Sequence, residues 1–177
     1  MFIITHAAVG AAIGLGSGNI FAGFFGGWLS HHFLDAIPHF DRGSLYLEKS
    51  GPKYYLNSLP NISGGKSSSG KLSREEWAIV LSDMTITILA LGFLFWLLPL
   101  EQFILIFTGA AGAVLPDVLA ALFFFYPQQK NIFPTFYRYN RFHHLLHRTV
   151  MKKQAWLGIL TQILILLTSI IILFQKV

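Results

Sequence analysis

Residues 30–41, Ser30-His31-His32-Phe33-Leu34-Asp35-Ala36-Ile37-Pro38-His39-Phe40-Asp41, gather three histidines and two aspartates into one short stretch. On a helix, His31 and Asp35 stand four apart and share a face. An imidazole nitrogen and a carboxylate oxygen at that spacing can reach one cation at about 2.0–2.2 Å from each. Pro38 is expected to end or bend the helix and turn His39 back toward the same point. His32 is one position off that face and reads as a bystander. A second stretch, Arg141-Phe142-His143-His144-Leu145-Leu146-His147-Arg148, repeats the spacing with His143 and His147. Two histidines four apart are the helical arrangement of many metal sites. His144 competes with His143 for that role. Phe136, Tyr137, Phe142, Leu145 and Leu146 around it suggest an amphipathic helix lying at a membrane surface.

The elements that must position these residues are unusually apolar. The 177 residues are 54% hydrophobic and 12% charged, with a mean hydropathy of +0.57. Soluble domains carry roughly 25% charged residues, so lipid is the expected solvent for an all-α bundle. Cysteine is absent, which excludes disulfides, thiolate ligands and a cysteine nucleophile. Any metal must be held by histidine and carboxylate. Stretches 77–98, 103–126 and 155–174 are each long enough to cross a bilayer, which takes about 20 apolar residues. Trp77, Trp96, Tyr126 and Trp156 lie near their ends, as interfacial aromatics do. Asp83 and Asp117 lie inside the first two spans, about 9 and 14 Å from the ends marked by Trp77 and Tyr126 at 1.5 Å per residue. A carboxylate at such depth faces a partner or water.

Residues 2–37 admit a single crossing helix or a re-entrant hairpin of two shorter helices, roughly 3–14 and 20–37. The hairpin is the favoured reading. Gly14-Leu15-Gly16-Ser17-Gly18-Asn19 suits a reversal, the small residues allow close packing, and only a hairpin brings His6 level with His31. No cleavable signal peptide is expected, because a basic n-region and a cleavage site are missing. Arg42, Lys49, Lys53, Lys66, Lys71 and Arg74 occupy the first long loop. Lys130, Arg138, Arg141, Arg148, Lys152 and Lys153 occupy the last one. The positive-inside rule places both in the cytoplasm. The formal charge of +5 therefore points to a lipid surface and not to nucleic acid. Residues 63–71 read as a flexible linker within a cytoplasmic loop of about 42–74. Gly65-Lys66-Ser67-Ser68-Ser69-Gly70-Lys71-Leu72 misses a phosphate-binding loop at Leu72 and follows no strand, so no nucleotide is expected.

Thr5-His6 followed by Gly10, then His31-x3-Asp35-x2-Pro38-His39, Leu115-Pro116-Asp117 and His143-x3-His147 together resemble the predicted membrane-bound metal-dependent hydrolases. That family is regarded as distantly similar to zinc-dependent phospholipase C and the single-strand-specific zinc nucleases. The resemblance runs from residue 5 to about 148, and the His-x3-Asp-x2-Pro-His string is its most specific part. It implies a helical site for a divalent metal, zinc by preference, held by His6, His31, Asp35, His39, Asp117, His143 (or His144) and His147. It also implies hydrolysis of an ester, in the first instance a phosphoester. The soluble relatives begin with a Trp whose amino group binds metal. This chain begins Met1-Phe2, which leaves that ligand and the number of ions open.

The expectation is one membrane-embedded domain over residues 1–177, with a re-entrant hairpin, three transmembrane helices and a hydrolytic site facing the cytoplasm. A divalent ion would acidify water toward a pKa of roughly 7. Asp41 or Asp83 would serve as base, and Arg141 or Arg148 would hold a phosphate. A lipid head group at that depth is the expected substrate. The competing expectation is a metal-binding membrane protein without catalysis, such as a small cation transporter. Asp83 and Asp117 would then line an ion path, but the chain shows no symmetry-related repeats of the kind transporters use.

Overall fold

The computed structural model describes residues 1–40, 74–125, 134–148, 150 and 154–176. The described residues are helical, in the order α1 (Ile3–Ser17), α2 (Ile20–Ala36), α3 (Arg74–Leu97), α4 (Leu100–Phe125), α5 (Pro134–Leu146) and α6 (Ala155–Lys176). Windows in α3, α4 and α6 are long and apolar enough to cross a membrane: Trp77–Leu97, Leu100–Leu122 and Ala155–Lys176. Even in α4, the most enclosed of them, only 33% of the window is buried. Phe93, Phe95, Trp96, Leu122, Leu164, Ile171 and Phe174 point outward. So much exposed apolar surface needs a lipid-like surrounding. The first two of these helices start three residues earlier than the apolar stretches suggest. In α4 the reason is Pro99, whose carbonyl accepts the N–H of Phe103, so Glu101 falls in the first turn, where the helix dipole favours a negative charge.

α1 and α2 form an antiparallel helical hairpin. The chain reverses at Gly18, which has φ of +61°, a left-handed conformation that costs an L side chain about 1–2 kcal/mol. Asn19 then starts α2, its side-chain oxygen accepting the N–H groups of Phe21 and Ala22, the usual N-cap arrangement. The helices have 15 and 17 residues, about 22 and 25 Å at 1.5 Å per residue, short of the roughly 30 Å a bilayer core requires.

The hairpin packs against α4 without side chains between the backbones. A Cβ on Gly27 would strike the carbonyl of Gly109 and the Ala113 nitrogen, and one on Gly10 would strike the same carbonyl. Close backbone approach through small residues is how helices gain contact where lipid removes the hydrophobic drive. Beside this seam, Ala7, Ala11, Ile106 and Ala110 form the apolar core with Leu98 and Leu173. The start of α1 is held by two polar side chains from other helices. Asp83 of α3 accepts the N–H groups of Ile3 at 2.6 Å and Ile4 at 3.0 Å. Gln162 of α6 accepts the N–H of Phe2 at 2.7 Å and donates to the carbonyl of Phe40 at 2.6 Å.

Candidate metal centre

α2 ends where the sequence predicts. A residue before proline is pushed out of the helical region, and Ile37 has φ −81° and ψ 131°. The turned chain is pinned by its neighbour in space. Arg148 donates its N–H to the carbonyl of Asp35 at 2.8 Å, His39 donates to the carbonyl of Arg148 at 3.2 Å, and Val150 donates to the carbonyl of His39 at 2.9 Å. This pairing brings the end of α5 against the end of α2, and so His147 against Asp35 and His39.

Asp35 is the centre of the cluster and is fully buried. Its Oδ1 lies 3.2 Å from His6 Nε2, 3.8 Å from His39 Nε2 and 3.2 Å from the amino group of Met1. Its Oδ2 lies 3.1 Å from His31 Nε2, 2.9 Å from His147 Nδ1 and 3.8 Å from His143 Nδ1. Asp117 Oδ1 is 4.0 Å from His31 Nε2. Among the described residues, three overlapping groups have metal-ligand spacing: His31, Asp35, Asp117 and His143; Asp35, His39 and His147; and, without a carboxylate, His31, His32 and His143. Asp35 belongs to both groups that hold a carboxylate. His6 adds a further nitrogen, stacked on the His31 ring at a centroid distance of 4.1 Å. Burial, with the nearby His31 adding to it, pushes the His6 imidazole down to about 4, so it is neutral near pH 7, the form that binds metal. Burial alone would raise the Asp35 carboxyl. The amino terminus, His147, His31 and His6 outweigh it and hold that carboxyl well below the usual range.

The residues fit a cation for a reason that lies in the tautomers. A carbonyl can only accept, so the 2.7 Å contacts of His31 Nδ1 with Ala113 O and His39 Nδ1 with Ile37 O require N–H at Nδ1. In the neutral imidazole each Nε2 then carries a lone pair. His31 Nε2 aims that lone pair at an Asp35 oxygen that can also only accept. His147 donates through Nδ1 to Asp35, which turns its own Nε2 lone pair toward His39 Nε2 at 3.1 Å. Acceptors facing acceptors repel unless a proton or a metal ion lies between them. Two ligand atoms about 2.0–2.1 Å from one tetrahedral zinc are roughly 3.3 Å apart, close to the spacings of 3.1 and 3.2 Å seen here. Metal-bound histidines characteristically donate their other nitrogen to a carbonyl or carboxylate, as His31, His39 and His147 do. The amino group of Met1 lies against both Asp35 and His39.

Each residue singled out from the sequence has a definite place where it is described. His6, His31, His39, His143 and His147 gather around Asp35, with Asp117 beside His31 and 24% exposed at the edge. His143 is buried; the His144 side chain lies outside the described residues. Asp83 stands apart, with both oxygens engaged by α1 amides. The Arg148 side chain is exposed, and its backbone does the positioning. Asp41, the Arg141 side chain and the loop 42–73 lie outside the described residues. Sequence reasoning passed over His32, which is 93% buried by its 7% exposure, and Gln162, which a search for lone polar residues in apolar spans would have found.

Fold and site define a membrane-type helical bundle with a buried His/Asp centre that could hold a metal ion. Neither family models nor curated proteins nor solved structures contain a match to this chain.

Proposed function

We propose that the chain is a membrane-embedded hydrolase that uses divalent metal, zinc by preference, to cleave an ester at the cytoplasmic face. The substrate class is a phosphoester, with a lipid head group first. The observation that carries this reading is that His31 and His39 each hold Nδ1 at 2.7 Å from a carbonyl oxygen and turn Nε2 to the Asp35 side of the pocket. In this reading Asp35 is shared between two metal positions, one completed by His31, Asp117 and His143 with His6 beside them, the other by His39 and His147. A divalent ion there supplies Lewis acidity, lowering the pKa of water toward roughly 7 and offsetting charge on the ester. The protein supplies a dry, rigid cradle. Asp117, partly exposed, marks the side from which substrate enters. Asp41 is the carboxylate proposed as base, since the Asp83 oxygens are taken up by the start of α1. Arg141 and Arg148 are proposed to meet the phosphate.

The hairpin is re-entrant in this reading, entering and leaving on the side where the centre lies, and α5 lies along the head groups with Phe136, Phe142 and Leu145 exposed to lipid. The basic residues of the two long loops, by the positive-inside rule, support a cytoplasmic assignment for that side. The rival reading, cation transport, is poorly served by a cluster confined to the C-terminal halves of α2 and α4. Head-group release from phospholipid nanodiscs with added zinc tests the proposal. Chelation should abolish release, and zinc should restore it. Zinc flux into proteoliposomes without head-group release would replace the hydrolase with the transporter. Single cysteines at Ser68 and Gln129 should label only from the cytoplasm; labelling from outside would reverse the orientation.

A further inference from the structure

His32 is buried at the edge of the cluster and none of the residues discussed so far uses it. Its ring is locked on every side. Trp28 meets it edge-on at 5.3 Å, Tyr139 at 5.7 Å and Phe142 at 5.8 Å, while His31 and His143 lie at 5.4 and 5.9 Å on the site side. Its Nε2 is 3.0 Å from the Tyr139 hydroxyl, which in turn lies 2.9 Å from Trp28 Nε1. Its Nδ1 is buried and has no hydrogen-bond partner among the described residues. The ring offers an atom within metal-ligand spacing of His31 and His143.

Hydrogen-bond accounting gives this chain a direction. An indole N–H can only donate, so Trp28 donates to the Tyr139 oxygen. The Tyr139 hydrogen then needs an acceptor, and His32 Nε2 is the one in reach. A neutral imidazole that accepts at Nε2 carries its proton at Nδ1. The reverse arrangement would put two donors on one phenol oxygen and leave the phenol hydrogen without a described acceptor. Buried polar groups are rarely left in that state.

We propose that Trp28 and Tyr139 hold His32 as the Nδ1–H tautomer, making it a hydrogen-bond donor to a phosphate-type anion bound at the centre and not a metal ligand. The inference rests on the phosphoester reading above and names the residue that would recognise the anion's oxygen. The surrounding histidines and carboxylates offer lone pairs, which suit a cation but repel an anion. His32 adds, within the cluster itself, a donor beside the arginines proposed above. Tyr139 and Trp28 are positioning residues, acting through His32.

The test has two parts. In the full-length protein with 15N-labelled histidine, the His32 signals should show a protonated Nδ1 and a bare Nε2, and Tyr139→Phe should shift that balance. The opposite tautomer in the wild type would overturn the proposal without any variant having to fold. The second part measures zinc content and inorganic phosphate binding to the zinc-loaded protein. His32→Asn places an amide N–H near the Nδ1 position, whereas His32→Gln places one near Nε2. A hydrogen bond to a charged group is commonly worth about tenfold or more in affinity. His32→Gln and His32→Ala should therefore weaken phosphate about tenfold or more with unchanged zinc content, and His32→Asn should stay within about threefold of wild type. Loss of zinc in all three variants would make His32 a ligand, and unchanged phosphate affinity in all three would make it packing; either overturns the inference and leaves the hydrolase reading standing. A wild-type protein that binds no zinc would end both. Competition for phosphate by phosphatidate-containing nanodiscs, but not by nanodiscs of phosphatidylcholine alone, would identify the anion's source as a lipid head group. Competition by neither would identify free phosphate.

Discussion

Replacing Asp35 by Asn should strip the centre of metal while leaving the fold in place. The substitution keeps the side chain's size and its ability to hydrogen-bond His147, and the backbone carbonyl of Asp35 still takes the N–H of Arg148 at 2.8 Å. What disappears is the negative charge that faces His6, His31, His39, His143 and His147 within 3.8 Å. Structural zinc sites with four ligands bind with about 10–16 kcal/mol at pH 7, so one ligand accounts for about 2.5–4 kcal/mol if shared evenly. That is a loss of about a hundredfold to a thousandfold in affinity. Because Asp35 belongs to both groups that hold a carboxylate, both positions should weaken together. Purified protein in detergent is titrated against a zinc chelator of known affinity, with metal content read by mass spectrometry and folding by metal-free thermal unfolding. An Asp35→Asn protein that keeps its full metal complement, with affinity within tenfold of wild type, would refute the reasoning.

Asp117 belongs to one group only, so Asp117→Asn should lose metal at that position and retain the other; unchanged metal content would remove Asp117 from the site. Asp83 separates a cap from a base. Its two oxygens accept two different amides, so Asp83→Asn should lose one of those hydrogen bonds and lower stability by about 1 kcal/mol with turnover kept, Asp83→Ala should lose both and lower it further, and loss of turnover in a folded Asp83→Asn protein would favour the base. Gly27→Val should drive α2 away from the Gly109 carbonyl, costing about 1–3 kcal/mol by overpacking and reducing zinc affinity through His31, which rides on the same helix. Gly16→Ala, with open space around its position, should leave both unfolding and metal binding unchanged.

The local half of the site could be read from the sequence because it depends on local geometry. His31 and Asp35 share a helix face at spacing four, and Pro38 forces Ile37 out of the helix whatever surrounds it. The hairpin was legible through Gly18 and Asn19, whose conformational roles are set by their own chemistry. The across-chain half was not legible. The burial of His32 depends on Trp28 and on Tyr139, more than a hundred residues away. The engagement of Asp83 depends on where the start of α1 lands, and the approach of His143 to Asp35 depends on how α5 rotates against α2. Spacing within one segment carries no information about those rotations. Gln162 shows the intermediate case: one polar residue in an apolar span signals a partner, but not that the partners are the backbones of Phe2 and Phe40.

The central claim is that Asp35 is shared between two metal positions. The most direct measurement is an anomalous difference map at the zinc edge from crystals grown with zinc. A shared Asp35 predicts two peaks flanking it, each about 2.0–2.2 Å from one of its oxygens, one beside His31, Asp117 and His143 and the other beside His39 and His147. Peaks only at surface histidines, or an Asp35 side with no peak at full zinc occupancy elsewhere, would contradict it.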